Sequence, residues 1–306
     1  MTSRDSKCNP REFFSTGPFP FSPIWKAMLK AVGILAKKGS KEILLEARRI
    51  HKIIEQHGFR SVPDKDLERS AKIPGGRPLG RMEIELLVTL GGDGTVLKAA
   101  KEMLKPKTPI LAVNMGRRGY LTEVEPSEFE AAFTKWEKGN YELEEQWKLS
   151  VVHRNQVVSE ALNEALLLPT IPAKMLNLSL AFRGKPIFQA RADGIIVSTP
   201  TGSTAHSFSA GGPVLEASMD SVSLTLIAPL QPVKSIVVPV KAGVQLRVAE
   251  PGPSANLVID GLLEREIRIG QSLSFRKSVS STFFVRFGDS FLQRSLRRLS
   301  SERENG

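Results

Sequence analysis

With 306 residues, 41% apolar and 25% charged, the chain has the composition of a globular protein of one large domain or two ordinary ones. One cysteine, Cys8, rules out a disulfide within the chain and a cysteine-based metal site, and no apolar run approaches the ~20 residues that a membrane helix needs. The net charge of +11 is dispersed, aromatic residues make up only 7%, and no nucleic-acid-binding motif stands out, so the charge argues for a solubilised surface and for nucleotides over nucleic acid.

Residues 1–25, rich in Pro, Ser and Phe, form an extension without a charged-then-apolar signal layout. AMLKAVGILA, from Ala27 to Ala36, fits a first buried strand. In the following segment Ile43, Leu44, Ala47, Ile50, His51 and Ile54 recur at helical spacing, and Gly58 is a natural stop. Residues 60–83 are charged and contain IPGGRPLG, which predicts a loop. A strand over 84–90 then runs into the turn GGDG and a helix from Thr95 to about Leu104. PILAVNMG (109–116) is a third strand, and 127–138 is one more helix with Ser127 as its cap. Strands and helices in alternation imply a parallel sheet.

Beyond about residue 145 the segments become short, strand-like and punctuated by Pro and Gly. SVSLTLIAP, GVQLRVAE, NLVID and EIRIGQSLSF are examples, and they predict an antiparallel sandwich or barrel. In the tail, Phe291, Leu292, Leu296 and Leu299 trace a helical stripe. The expected organisation is therefore an extension (1–25), an α/β domain with a parallel sheet (26–145), a β-rich, sandwich-like domain (146–280) and a C-terminal tail (281–306). A ligand cleft would lie between the two domains.

Three segments carry chemistry. GGDG follows a strand of a parallel sheet, where ligands of α/β folds bind. Its glycines allow close backbone approach, and the helix that follows offers N–H groups to phosphates. By itself Gly-Asp-Gly also makes ordinary tight turns. A loop that held phosphate alone would avoid a carboxylate, so Asp93 suits a neighbouring hydroxyl or a metal ion, as in phosphoryl transfer. In ALNEALLLP, Asn163 and Glu164 stand between apolar neighbours. At a bend, both could reach the vicinal hydroxyls of a ribose; alone, the pair also fits a hydrogen-bonded turn. RADGIIVSTPTGSTAHSFSAGG supplies an aspartate, Asp193, and many small hydrogen-bonding groups. No G-x-S-x-G elbow supports a serine hydrolase reading. The four histidines show no zinc-site spacing.

Taken in order, LVTLGGDGTVLKAA, VNMGRRGYLTEVEP, ALNEALLLP, RADGIIVSTPTGSTAHSFSAGGPV and the later IVVP and VIDG resemble the NAD kinase family over roughly residues 27–295. The resemblance implies transfer of the terminal phosphoryl group of ATP, or of polyphosphate, to the 2′-hydroxyl of the adenosine ribose of NAD, with magnesium or manganese. It implies that Asp93 is the proton acceptor, with Gly91, Gly92, Gly94, Thr95 and the basic Lys98 binding nucleotide beside it. Asn163 and Glu164 would hold the ribose, and Lys174 and Arg191 would supply basic contacts. Asp193, Thr204, Ala205, His206, Ser207 and Ser209 would line the adenine pocket. It also implies a cytoplasmic homodimer or homotetramer, with no membrane partner and with the tail returning to the first domain. Two positions depart from the family pattern: His206 replaces a usual Tyr, and Leu262 a frequent Gln. Lipid kinases share GGDG but carry a GTGND-like segment where this chain has VNMGRRGYL. Phosphofructokinase-type enzymes lack the TPTGSTA segment. A non-catalytic sensor would keep the binding segments and lose the acid, which is present.

Overall fold

The computed structural model describes residues 31–103, 105–116, 119–288 and 291–301. The extension expected over 1–25, the start of the strand expected from Ala27 and the helix end expected at Leu104 fall outside them.

The first half alternates strand and helix: β1 (Ala31–Ala36), α1 (Lys41–Gln56), β2 (Arg60–Pro63), α2 (Lys65–Ala71), β3 (Leu86–Gly91), α3 (Asp93–Glu102), β4 (Ile110–Asn114) and α4 (Phe129–Glu137). The strands pair in parallel in the order β2-β1-β3-β4. They are apolar along most of their length because helices cover both faces. Val32, Ile34 and Val88 pack under α1 and α4, while Leu35, Leu87 and Ala112 pack under α3. The sequence explains α1 directly. The Ser40 side chain accepts the Ile43 N–H at 3.4 Å, the stripe Ile43, Ala47, Ile50 and Ile54 is buried, and Gly58 takes a left-handed φ of 78° just past the end.

Two local expectations are corrected. Residues 60–83 are no simple loop: β2 extends the sheet and Asp64 caps α2, accepting from Leu67 N–H at 3.1 Å. A four-residue edge strand and a seven-residue helix are too short to show a period amid so many charges. Ser127 does not cap α4; it lies in a single 3-10 turn, Pro126–Glu128, closed by the reciprocal Glu125 and Glu128 capping box.

The second half comprises β5 (Glu142–His153), β6 (Gln156–Ala161), β7 (Glu164–Pro169), β8 (Leu176–Phe182), β9 (Lys185–Ala192), β10 (Gly194–Ser198), the short α5 (His206–Ser209), β11 (Ser221–Ile227), β12 (Ile236–Pro239), β13 (Val244–Ala249), β14 (Ala255–Ile259), β15 (Leu262–Ile267), β16 (Ser272–Arg286) and α6 (Phe291–Ser301). An antiparallel sheet ordered β12-β11-β10-β7-β14-β15 faces a layer made by β5, β8, β13 and β16. Leu167, Val197, Leu224 and Leu257 from one layer meet Leu178, Leu246 and Phe275 from the other, which is sandwich packing.

The strand β16 joins the halves. It pairs antiparallel with β13 and β5, and in parallel with β4 through Phe284 and Ile110. One sheet therefore runs from β2 through β16 to β9. Leu273 and Phe275 of this strand enter the sandwich core, while Phe284 and Val285 enter the two cores of the first half. In α6, Phe291 is buried as expected, but Leu296 is exposed and Arg294 and Ser295 are buried in its place. Buried Phe291 and the ion pair of Arg294 with Glu144 both seat this helix.

Candidate active site

The GGDG turn stands at the C-terminal end of β3, and Asp93 is the first residue of α3. Gly91 is required by contact: a Cβ there would lie 2.2 Å from Thr95 Oγ1. A Cβ on Gly92 or Gly94 would meet open space, so these two leave the backbone accessible. Asp93 Oδ2 accepts the Tyr120 N–H and Oδ1 the Leu121 N–H, each at 2.9 Å. Two amides and the positive end of α3 thus stabilise its negative charge. Gly119 lets the loop approach, since a Cβ there would sit 3.1 Å from Asp93 Oδ1 and 2.5 Å from Thr122 Oγ1. Lys98, half-buried on the same helix, is close enough to Asp64 and Asp66 for its charge to act on both carboxyls.

Asn163 and Glu164 do lie at a bend, between β6 and β7. The bend is held by a residue that pattern reading left unassigned. Asp260 accepts N–H groups from Leu162 (2.8 Å), Asn163 (2.8 Å) and Glu164 (3.1 Å), and its own N–H donates to the Glu164 carbonyl at 3.1 Å. Asp260 adopts a left-handed φ of 48° and Gly261 one of 80°. The Asp-Gly pair of VIDG was the available signal for such a turn. From the other side, the Asn163 carbonyl accepts the Thr199 N–H at 2.9 Å, and Thr199 Oγ1 donates to the Leu162 carbonyl at 2.6 Å. Gly202 packs against the same peptide, where a Cβ would fall 2.2 Å from the Asn163 oxygen.

Two buried acceptors in this bend, Asn163 Oδ1 and Glu164 Oε2, have no hydrogen-bond partner. Such atoms are costly unless a ligand or water meets them. Burial, and then the neighbouring charge of Asp260, push the Glu164 carboxyl up to about 8. Burial raises Asp260 too, but three amides and the Lys148 cation oppose it, so Glu164 is the member of the pair that holds a proton near neutral pH.

The bend and the Asp93 helix are in contact. Leu162 packs in one core with Val96, Ala99 and Ala100, and Lys148 Nζ donates to the Ala100 carbonyl at 2.5 Å. The structure therefore brings the helix of Asp93 and the bend of Asn163 and Glu164 together. The TPTGST segment forms a 3-10 turn, Thr201–Thr204, followed by α5. Thr204 is buried, Ala205 half-buried, and His206 and Ser209 are exposed. Ser207, expected among the ligand-lining residues, turns its hydroxyl inward to Ser223 (3.2 Å) and Thr225 (3.1 Å), because Gly212 closes over it. It holds the segment to β11. Asp193 is exposed between β9 and β10, Arg191 is exposed at the end of β9, and Lys174 is exposed in the connection before β8. Leu262 is exposed at the start of β15. Among the described residues, no three His, Cys, Asp or Glu side chains converge as a metal site, and no helix is long and apolar enough to cross a membrane.

Comparison with known proteins adds the following. Residues 32–141 match the family model of the ATP-NAD kinase N-terminal domain, and residues 162–287 that of the ATP-NAD kinase C-terminal domain. A NAD kinase of Methanothermobacter thermautotrophicus is 34% identical over 273 residues, 88% of this chain and 95% of that protein. One from Pyrococcus furiosus is 35% identical over 83% of this chain and 93% of its own. Among solved structures, an NAD kinase from Archaeoglobus fulgidus in complex with ATP aligns with a TM-score of 0.69 at 26% identity, covering 89% of this chain and 97% of that one. Yeast NADH kinase complexed with NADH shares the fold, with a TM-score of 0.80 at 21% identity over 89% of this chain and 88% of its own.

Proposed function

The chain belongs to the ATP-NAD kinase family, and we propose that it transfers the terminal phosphoryl group of ATP to the 2′-hydroxyl of the adenosine ribose of NAD. The observation that carries this reading is the pair of unpartnered buried acceptors, Asn163 Oδ1 and Glu164 Oε2, in a bend packed against the helix that starts at Asp93. Two vicinal ribose hydroxyls can donate to two such acceptors. Glu164, protonated near neutral pH, can also donate to a ribose oxygen.

Asp93 receives the proton of the attacking hydroxyl. Both its oxygens already accept amides, which fixes its direction. That suits phosphoryl transfer, where positioning and charge stabilisation outweigh strong base catalysis. The open backbone of Gly92 and Gly94 and the N-terminus of α3 face the donor phosphates. A magnesium or manganese ion fits this setting as one held mainly by phosphate oxygens, with Asp93 the nearest carboxylate that the turn offers. When bound, it would neutralise charge on the phosphates. Lys174, Arg191, Asp193, Thr204, Ala205, His206 and Ser209 complete the NAD side in this reading. The same reading expects a cytoplasmic homodimer or homotetramer.

The test is incubation of the pure protein with NAD or NADH, ATP or polyphosphate, and magnesium, followed by assay of NADP and NADPH. Conversion of NAD with ATP is expected. In Asp93→Asn, NAD binding persists and turnover falls about 10²–10⁴-fold, the range for a lost acid–base group. Parent-like turnover by that variant removes Asp93 from the reaction.

A further inference from the structure

Asp93 is held by amides of residues 120 and 121, and something must hold those. Arg286, at the end of β16 and 2% exposed, reaches the same loop from beneath. Its Nη1 donates to the Leu121 carbonyl at 3.2 Å and to Glu123 Oε2 at 3.0 Å, and its Nε donates to Glu144 Oε1 at 2.9 Å. The other Glu123 oxygen accepts the Phe287 N–H at 2.8 Å. Glu144 is shared with α6, where Arg294 Nη2 donates to both its oxygens at 2.9 and 2.7 Å. Burial would raise the Glu144 carboxyl, yet the two guanidinium groups hold it below its ordinary value, which favours the ionised form.

We propose that Arg286 is a positioning residue for Asp93: it fixes the Leu121 carbonyl and Glu123 so that the Tyr120 and Leu121 amides present their hydrogens to the catalytic carboxylate, and Arg294 of the C-terminal helix braces it through Glu144. This rests on Asp93 being the group that addresses the acceptor hydroxyl. The argument is geometric. Leu121 bonds Asp93 through its N–H and Arg286 through its C=O, so one residue ties the guanidinium to the carboxylate. Beyond residue 122 the loop is already tied to the sheet, with Glu123 N–H donating to the Ala112 carbonyl at 2.8 Å and Asn114 N–H to the Val124 carbonyl at 2.9 Å. Before it, Met115 N–H donates to the Gly91 carbonyl at 3.0 Å. Within the stretch that presents the two amides, Leu121 is buried, Thr122 Oγ1 donates to the Gly119 carbonyl at 3.2 Å, and Asp93 and Arg286 both bond Leu121.

The test uses the full chain with Arg286→Lys, which keeps the charge but loses the fork, and Glu123→Gln, which keeps the shape. For each folded variant, kcat, the dissociation constant for NAD, and hydrogen exchange at the Tyr120 and Leu121 amides are measured. The proposal expects kcat to fall about 10²-fold, as for an ångström-scale misplacement, with NAD affinity within about twofold of the parent. It also expects faster exchange at those two amides while the amides of α1 are unchanged. Parent-like kcat in both variants overturns it, as does a loss of kcat accompanied by equally faster exchange throughout α1, which would mark general loosening. Asp93→Asn separates the two levels. If that variant is inactive while Arg286→Lys and Glu123→Gln are fully active, the role of Asp93 stands and the positioning role of Arg286 falls.

Discussion

Replacing Glu164 with Gln should change how stability depends on pH. In the unfolded chain this carboxyl titrates near its ordinary 4.5; in the fold, burial and the charge of Asp260 push it up to about 8. Below 4.5 both states hold the proton and the site contributes no pH dependence. As pH rises from there towards 8, the unfolded chain has released its proton and the folded one has not, so stability falls by about 1.4 kcal/mol per pH unit. Above 8 the full loss, about 4–5 kcal/mol, is in place and the slope vanishes. Glu164→Gln removes this titration while keeping the shape, a neutral donor group and a carbonyl acceptor. Urea unfolding of both proteins without nucleotide, from pH 5 to 9, measures the difference. The variant should gain on the parent steadily across the window, by most of that amount. Two curves that stay parallel would refute the argument, because they would mean that Glu164 is ionised in the fold as readily as in water.

Asp260→Asn presents an amide NH2 to at least one of the three backbone N–H groups now accepted by the carboxylate. Hydrogen bonds to charged acceptors contribute about 1.5–3 kcal/mol each, so chemical denaturation should show a loss of roughly 1.5–3 kcal/mol and kinetics a raised KM for NAD. Gly202→Ala forces a methyl to 2.2 Å from the Asn163 oxygen, a contact relieved only by backbone movement. Unfolding should register about 1–3 kcal/mol of overpacking, again with a raised KM for NAD and a near-normal KM for ATP.

The layout of the first half was legible because its strands are short apolar runs and α1 carries both a cap and a period. The GGDG turn was legible because glycines mark close approach. The edge strand at Arg60–Pro63 was not, since four residues at a sheet margin have no period to display. EIRIGQSLSF spans the end of β15, a turn at Gly270 and the start of β16, and only pairing with β14 and β13, distant in the chain for β13, separates the two strands. Asn163 and Glu164 could be named from their polarity, but the clamp that bends them, Asp260, is about a hundred residues away and acts through main-chain donors. The cradle around Asp93 is invisible for the same reason: the Tyr120 and Leu121 amides are groups every residue has. Serine at 207 and leucine at 296 misled in opposite directions, one hydroxyl packing inward and one hydrocarbon standing in solvent.

The strand Ser272–Arg286 has a consequence for how the molecule holds together. Among the described residues it contributes to all three hydrophobic clusters, so neither the nucleotide-gripping half nor the β-rich half owns a complete interior without it. Both halves need the same fifteen residues to close their interiors. Severing that strand would therefore open the interiors of both halves at once.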